Sequence, residues 1–259
     1  MKVIVAGEIP LVTEIGHLCI AADYETHLFV AEDFDDALAS GRIMEEAGDA
    51  HVAIEVQNES AEAKRALLEG LANVLPNDAL ILSSALATSA TEAAACLSNP
   101  ARLVGFALLP PLEERGKVEL AAALQTSEQW LEEAKKFWRG LEQTPVVVGD
   151  GPGLVRARIV CCLINEAASA VLEGVASAKD IDLAMRLGTN YPQGPLAWAD
   201  LIGIDTVLGV MNGLFREWGE DRYRPSPLLR RMALAGRLGR KSGEGFYRYE
   251  PADAGSDGR

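Results

Sequence analysis

Residue types that can carry acid–base chemistry are few and unevenly placed in this chain. The three histidines among its 259 residues are His17, His27 and His51. Glu119 is a carboxylate of the kind that orients a catalytic histidine, but no histidine follows His51 in the sequence. Taken by itself, Glu119 is therefore interpreted as a surface or interface carboxylate.

The four cysteines show neither a metal-binding nor a disulfide pattern. Cys19, Cys96, Cys161 and Cys162 lack the Cys-x-x-Cys spacing of zinc sites, and the adjacent pair would point in different directions on a helix. Because the histidines lie near the N terminus, they add no recognisable ligand set. Buried free thiols are the favoured interpretation, and no metal site is predicted.

The turn after the first apolar run is a candidate for dinucleotide binding. In the pattern G-x-G-x-x-G, glycines let a pyrophosphate approach backbone amides at a helix N terminus. If Gly7 is the middle glycine, Val5 and Pro10 replace the other two, and Glu8 adds a negative charge beside the expected phosphates. Glu32, after the second predicted strand, is either an acceptor for a ribose hydroxyl or a solvated charge at a helix start.

A second glycine-rich segment, residues 239–245, is a candidate for anion binding. It follows predicted helices rather than a strand, and it leads directly into the aromatic run Phe246-Tyr-Arg-Tyr249. A structural turn that packs aromatic side chains is therefore favoured over a phosphate site.

The first half of the chain alternates short apolar strands with helical segments. One helix is expected over residues 34–47 and another over residues 60–75, the latter with Ser60 as its N-cap. Such alternation is typical of a doubly wound α/β domain with a mostly parallel sheet, here residues 1–149. The predicted strands are residues 3–6, 28–31, 52–56, 79–82, 103–109 and 145–148.

The second half is predicted to be all-α. Ile159, Leu163, Ala167 and Ala170 recur at helical spacing and predict one buried face on its first helix, where Asn165 is more typical of a satisfied buried polar group than of a ligand for substrate. The helical domain would span residues 150–250, and a polar tail the remaining residues 251–259. Its predicted helices are residues 154–173, 177–187, 195–218 and 226–235.

The charge distribution argues against a nucleic-acid partner. Residues 1–149 carry 10 Lys and Arg against 24 Asp and Glu, whereas residues 150–259 carry 14 of each class, so the net charge of −14 belongs to the first half. Such a surface repels phosphates. No apolar run has the length of a membrane span, and the N terminus lacks the features of a signal peptide, so a cytoplasmic protein is expected.

Several motifs follow one another in the second half of the chain. They are Asp150-x-Pro-Gly-x-x-x-x-Arg158, Leu163-Ile-Asn-Glu-Ala167, Tyr191-Pro-Gln-Gly-Pro195, Asp200-Leu-Ile-Gly-Ile-Asp205 and Gly239-Arg-Lys-Ser-Gly-Glu-Gly-Phe-Tyr247. This is the order seen in the 3-hydroxyacyl-CoA dehydrogenase family, which the chain resembles over residues 150–249. The first half resembles the family's NAD domain through Ile54-Glu-Val56 and Lys64-Arg-Ala-Leu67. The resemblance implies a Rossmann-like domain that binds NAD, a helical domain that forms a homodimer, and an acyl-CoA substrate of fatty-acid metabolism.

The resemblance also implies roles for individual residues. The family's catalytic histidine falls on Ala107, its orienting glutamate on Glu119 and the asparagine of its second domain on Asn165. Ser84 and Thr88 fall on the hydroxyls that help hold the substrate. Gly7 and Glu32 are the cofactor-binding candidates in the first domain.

Two functional hypotheses follow from these assignments. The first is an NAD-dependent oxidoreductase that acts on 3-hydroxyacyl-CoA. The second is a non-catalytic homologue that keeps the fold and serves as a binding, regulatory or assembly subunit. Ala107 favours the second hypothesis, because a methyl group cannot transfer a proton.

Overall fold

The computed structural model describes residues 1–40 and 42–250. Its internal contacts divide the chain into two compact units, Met1–Val155 and Arg156–Arg259. The sequence placed this division at residue 150. Residues 150–155 belong to the first unit because they bond into it: the Asp150 carboxylate accepts from two backbone amides there, and Gly153 donates to the carbonyl of Ala85.

A seven-stranded sheet forms the centre of the first unit, as the alternation of apolar strands and helices predicted. Its strand order is β2-β1-β3-β4-β5-β6-β7, and every neighbouring pair is parallel except β5 and β6. The strands are β1 (Lys2–Gly7), β2 (Glu25–Val30), β3 (Val52–Val56), β4 (Leu80–Ser84), β5 (Leu103–Ala107), β6 (Lys117–Ala122) and β7 (Thr144–Val148).

Helices cover this sheet and bury its apolar side chains. Ser60 caps α4 as predicted, since its side chain accepts from the amide of Ala63. The expectation of one helix over residues 34–47 was wrong, because the segment forms two short helices, α2 and α3. The helices of this unit are α1 (Leu11–Ala21), α2 (Ala31–Ala39), α3 (Arg42–Ala47), α4 (Ala61–Val74), α5 (Ala90–Ala94) and α6 (Glu128–Gly140).

Two features of the sheet differ from the sequence prediction. Strand β5 ends at Ala107 rather than at Leu109, and the strand β6 was not predicted. The run around Glu119 follows a polar loop and includes the charged residues Lys117 and Glu119. Its pairing with β5 and with β7 makes it part of the sheet.

The second unit is helical, as predicted, with α7 packed against α9, α10 and α11. The expectation of one helix over residues 195–218 was wrong: α9 and α10 meet at an angle of 100° at Gly203, whose φ of 102° favours glycine. Among the described residues no single helix is long and apolar enough to cross a bilayer, and only this bent pair meets the length and composition test. The helices are α7 (Arg156–Leu172), α8 (Ala178–Thr189), α9 (Pro195–Ile202), α10 (Ile204–Trp218) and α11 (Pro227–Leu234).

The buried face of α7 is offset from the predicted one. Ile159 is 63% exposed, whereas Cys161, Ile164 and Ala168 are fully buried. The prediction erred because α7 is apolar on more than one side, so that spacing alone does not identify the packed face. Ile159 therefore remains open to another protein surface.

The glycine-rich segment near the end of the unit is a structural turn, as the sequence favoured. The carboxylate of Asp200 accepts from the amides of Phe246 and Tyr247 at 2.8 and 2.9 Å. A Cβ at Gly245 would lie 2.0 Å from Asp200 Oδ1, and one at Gly239 would lie 2.3 Å from the Asp200 carbonyl oxygen. These glycines let the chain wrap around Asp200.

Candidate functional site

The strand order places a crevice at the carboxyl ends of β1 and β3. The chain leaves β2 on one side of β1 and returns as β3 on the other side. In open parallel sheets, ligands bind at such a change of direction, outside the carboxyl ends of the strands. The segments after Gly7 and after Val56 therefore border the candidate ligand site.

Gly7 makes the tight turn at the end of β1. Its φ is 136°, and a Cβ there would lie 2.7 Å from the carbonyl carbon of Val56. In a dinucleotide fingerprint this is the place of the first glycine, which closes the turn, and the third glycine lies within the following helix. The fingerprint positions are accordingly Gly7, Ile9 and Val12.

This register corrects the sequence interpretation, which placed Gly7 in the middle of the fingerprint. Val5 lies inside β1, where it pairs with Leu28 and Ile54 and is fully buried. Pro10 precedes the first residue of α1. After Gly7, the side chain of Ile9 is exposed and that of Val12 is buried.

Glu8 spans the crevice from one strand end to the other. Its Oε1 accepts from the backbone amides of Asn58, at 2.9 Å, and Glu59, at 2.8 Å, in the segment after β3. Burial raises the pKa of Glu8 to about 7, and the two amide hydrogen bonds offset this only in part. Sequence analysis noted the charge of Glu8 but not this role, since its partners lie about 50 residues away.

Asn58 connects this carboxylate with the end of β4. Its Oδ1 accepts from the hydroxyl of Ser84 at 2.8 Å, and its Nδ2 donates to the carbonyl of Val56 at 3.0 Å. Ser84 is buried, so its hydroxyl faces a protein partner in this state. Thr88 is buried as well, in the segment that leads to α5. Asn58 was missed by the sequence analysis, which had no motif to single it out.

A buried ion pair supports the floor of the crevice. Lys64 on α4 donates to Glu55 Oε2 at 2.5 Å, and also to the carbonyls of Gln57 and Ser84. Ser83 donates to the same carboxylate oxygen at 2.6 Å. Because Glu55 and Lys64 are almost inaccessible to solvent, each depends on the other for compensation of its charge.

Ala107 and Glu119 are direct neighbours across the β5–β6 pair. Ala107 is the last residue of β5 and is buried. The Glu119 carboxylate is half-buried, and its Oε2 accepts from the amide of Val155 at 2.9 Å. The strand register therefore brings together the two positions that the family resemblance assigned to a catalytic histidine and its orienting glutamate.

Asn165 lies in the second unit, where both ends of its side-chain amide are engaged. Its Nδ2 donates to the carbonyl of Arg224 at 3.1 Å, and its Oδ1 accepts from the amide of Ser226 at 2.7 Å. Asn165 is buried, with 7% of its surface exposed. Asn165 thus anchors the segment before α11.

The remaining predicted site residues add little to this geometry. Glu32 is the second residue of α2, directly after β2, and its side chain lies outside the described part of the structure. Within residues 1–40 and 42–250, no group of three or more His, Cys, Asp or Glu side chains is placed to hold a metal ion.

Comparison with known proteins agrees with this architecture. The family model for the 3-hydroxyacyl-CoA dehydrogenase NAD binding domain matches residues 15–151, and the model for the C-terminal domain of the same family matches residues 153–249. The chain belongs to the 3-hydroxyacyl-CoA dehydrogenase family. The match to the model of the NAD binding domain begins inside α1, so β1 and the Gly7 turn lie before the matched residues.

Individual members of the 3-hydroxyacyl-CoA dehydrogenase family are similar over most of their length. A probable 3-hydroxybutyryl-CoA dehydrogenase of Bacillus subtilis is 39% identical over 213 residues, which cover 82% of this chain and 74% of the relative. The 3-hydroxybutyryl-CoA dehydrogenase of Clostridioides difficile is 36% identical over 79% of this chain and 73% of its own. The crystal structure of (S)-3-hydroxybutyryl-CoA dehydrogenase from Ralstonia eutropha superposes with a TM-score of 0.76 at 30% identity, over 96% of this chain and 99% of that one.

Proposed function

We propose that this chain is a member of the 3-hydroxyacyl-CoA dehydrogenase family that does not catalyse NAD-dependent oxidation and acts as a binding, regulatory or assembly subunit. One observation carries the proposal: the side chain that faces Glu119 across β5 and β6 is the methyl group of Ala107. Oxidation of a 3-hydroxyl requires a group that accepts its proton, and no titratable side chain stands at Ala107.

The expected loss of rate follows from the chemistry of this position. A positioned general acid or base contributes about 100- to 10,000-fold to the rate of proton transfer. Glu119 stands at the position that the family resemblance assigns to the orienting carboxylate rather than to the proton acceptor, and its Oε2 accepts from the amide of Val155. We therefore expect turnover to fall by about this factor relative to a family member with a histidine at the position of Ala107.

The residues of the Gly7 turn also disfavour the family's cofactor. A dinucleotide pyrophosphate needs free amide donors and a close approach to the turn. Glu8 presents a carboxylate, Ile9 presents an exposed side chain, and Pro10 has no amide hydrogen. In the proposed function these residues keep NAD affinity low.

The helical unit supports the proposed assembly role as a homodimer. Leu183 and Leu187 lie one turn apart on α8 and are 47% and 78% exposed, and Ile159 on α7 is exposed as well. Exposed apolar side chains on neighbouring positions of a helix mark surfaces that associate with other proteins. A second copy of this chain is the proposed partner.

The dehydrogenase hypothesis is kept as a second candidate because Glu119 remains at its position opposite Ala107. The relatives named 3-hydroxybutyryl-CoA dehydrogenase point to a short 3-hydroxyacyl-CoA as the molecule to test. In the proposed function such a thioester is a ligand rather than a substrate.

Turnover and binding measured on the same preparation separate the two functions. NADH formation from 3-hydroxybutyryl-CoA and calorimetric binding of acetoacetyl-CoA are measured for the full chain, with the Bacillus subtilis relative as a positive control. We expect acetoacetyl-CoA binding without turnover, and Ala107→His to raise any residual rate while Ala107→Ser does not. A wild-type rate within about tenfold of the relative would establish the dehydrogenase function instead.

A further inference from the structure

The carboxylate of Glu8, in the turn after β1, is held at the crevice by the segment after β3. Two consecutive amides, those of Asn58 and Glu59, point at its Oε1. The main-chain amide of Glu8 also donates to the carbonyl of Val56, at 3.4 Å. One residue therefore joins the two segments that border the crevice and occupies their donors.

The charges around Glu8 are predominantly negative. Glu59 in the segment after β3 and Glu55 on β3 both raise the pKa of Glu8. On α4, Lys64 is bound to Glu55 and to two carbonyls, and Arg65 is an exposed cation of the same helix. On α1, the Glu14 carboxylate accepts from the amide of Leu112 at 2.7 Å. A pyrophosphate beside Glu8 would therefore meet a carboxylate whose charge neighbouring glutamates reinforce.

We propose that Glu8 determines the ligand specificity of this crevice: two backbone amides hold its carboxylate in place, and in its ionised form its negative charge repels a dinucleotide pyrophosphate. A neutral residue at position 8 would release this exclusion and admit the cofactor. The inference rests on the proposed function and deepens it, because it names the group that keeps NAD out.

The proposal carries a pH dependence with a definite sign. The pKa of Glu8 is raised to about 7 by burial, so Glu8 is ionised above neutral pH and protonated below it. NADH affinity of the wild-type chain should therefore rise as the pH falls from about 8 to about 6. Substitution of Glu8 by glutamine should remove most of this dependence.

Binding of NADH, measured by its fluorescence and by calorimetry on the full chain, tests the inference. Glu8→Gln keeps an oxygen that accepts from the amides of Asn58 and Glu59 but removes the charge, whereas Glu8→Ala removes both. At about pH 8 we expect Glu8→Gln to bind NADH at least about tenfold more tightly than wild type. Glu59→Gln is the matched control, since it removes a neighbouring charge and leaves the Glu8 contacts in place.

Each NADH-binding result either supports or overturns the inference about Glu8. Equal NADH affinity in wild type, Glu8→Gln and Glu8→Ala would overturn the inference. If none of the three binds NADH, Ile9 or Pro10 is left as the obstacle. An equal gain from Glu59→Gln would overturn it too, because general charge rather than Glu8 would then be responsible. Should Glu8→Gln fail to fold, the NADH affinity of the wild-type chain is compared at the higher and the lower pH. An affinity that does not change with pH would overturn the inference.

Failure of the Glu8 inference can be distinguished from failure of the proposed function. Turnover by the wild-type chain would contradict the proposed function whatever Glu8 does. Tight NADH binding by Glu8→Gln without turnover would uphold both, since Ala107 still lacks a proton acceptor.

Discussion

At the scale of single residues, buried charge is concentrated beneath the candidate crevice. Glu55 and Lys64 are paired there with the hydroxyl of Ser83 and two backbone carbonyls. Removal of one partner of a buried pair leaves the other charge uncompensated, which costs far more than loss of an exposed pair. This cluster therefore limits which residues of the crevice can change without loss of the fold.

Replacement of Lys64 by methionine should lower the free energy of unfolding by about 3 to 5 kcal/mol, because it leaves the Glu55 carboxylate buried and unpaired. Urea denaturation at neutral pH measures the change. Lys136→Met is the matched control, since Lys136 pairs with Glu133 on the exposed face of α6 and its loss should cost far less than that of Lys64. Equal effects of the two substitutions would show that the Glu55 pair contributes no more than a surface pair.

Individual residues also show where sequence reasoning reaches its limit. Gly7 was identified from composition and spacing, and its positive φ confirms that glycine is required there. The contacts of Glu8 with Asn58 and Glu59 could not be inferred, because they join residues whose proximity depends on the pairing of β1 with β3.

At the scale of elements, the parallel strands were predictable because each is a short, apolar, β-branched run. The strand around Glu119 was not, since Lys117 and Glu119 interrupt its apolar residues and its position depends on pairing with β5 and β7. The break at Gly203 was also missed, as one glycine in an apolar helical pattern is compatible with a continuous helix. In both cases tertiary contacts decide the local structure.

The N terminus of α5 is held by a residue far away in the sequence. Asp150 accepts from the amides of Ala90 and Thr91, at 2.7 and 2.9 Å. Its carboxylate thus satisfies two otherwise unbonded amides and complements the positive end of the helix.

Asp150→Ala should destabilise the first unit by about 1 to 2 kcal/mol through loss of these bonds. Asp150→Asn keeps an acceptor without the charge and should cost about half as much. Thermal unfolding measures the total loss of stability, and hydrogen exchange at the amides of Ala90 and Thr91 shows whether the destabilisation is local to the N terminus of α5. Unchanged protection of these two amides in Asp150→Ala would contradict the capping role.

At the scale of the whole molecule, the acidic charge is confined to one unit, whereas exposed apolar side chains occur in both. The net charge of −14 lies in the first 149 residues. In residues 150–259, which carry no net charge, Ile159, Leu183 and Leu187 are exposed, and the proposed homodimer would bury them.

Leu187→Glu should shift the proposed dimer toward monomer, because it places a charge on an apolar surface that the partner covers. We expect a loss of affinity of roughly 30-fold or more, the effect of one central interface residue. Sedimentation velocity across a concentration series measures it. Ile20→Glu makes the same chemical change at an exposed position of α1, in the other unit, and should leave the assembly unchanged.

The antiparallel pairing of β5 with β6 has a consequence for how proteins of this family are named by similarity. Backbone hydrogen bonds hold Ala107 opposite Glu119 whichever side chain stands there, so the fold does not record whether the proton acceptor is present. Selection for the fold and selection for the reaction therefore act on different atoms. A chain can keep a relative's architecture, and inherit its name, after the chemistry at one strand end has been exchanged for a methyl group.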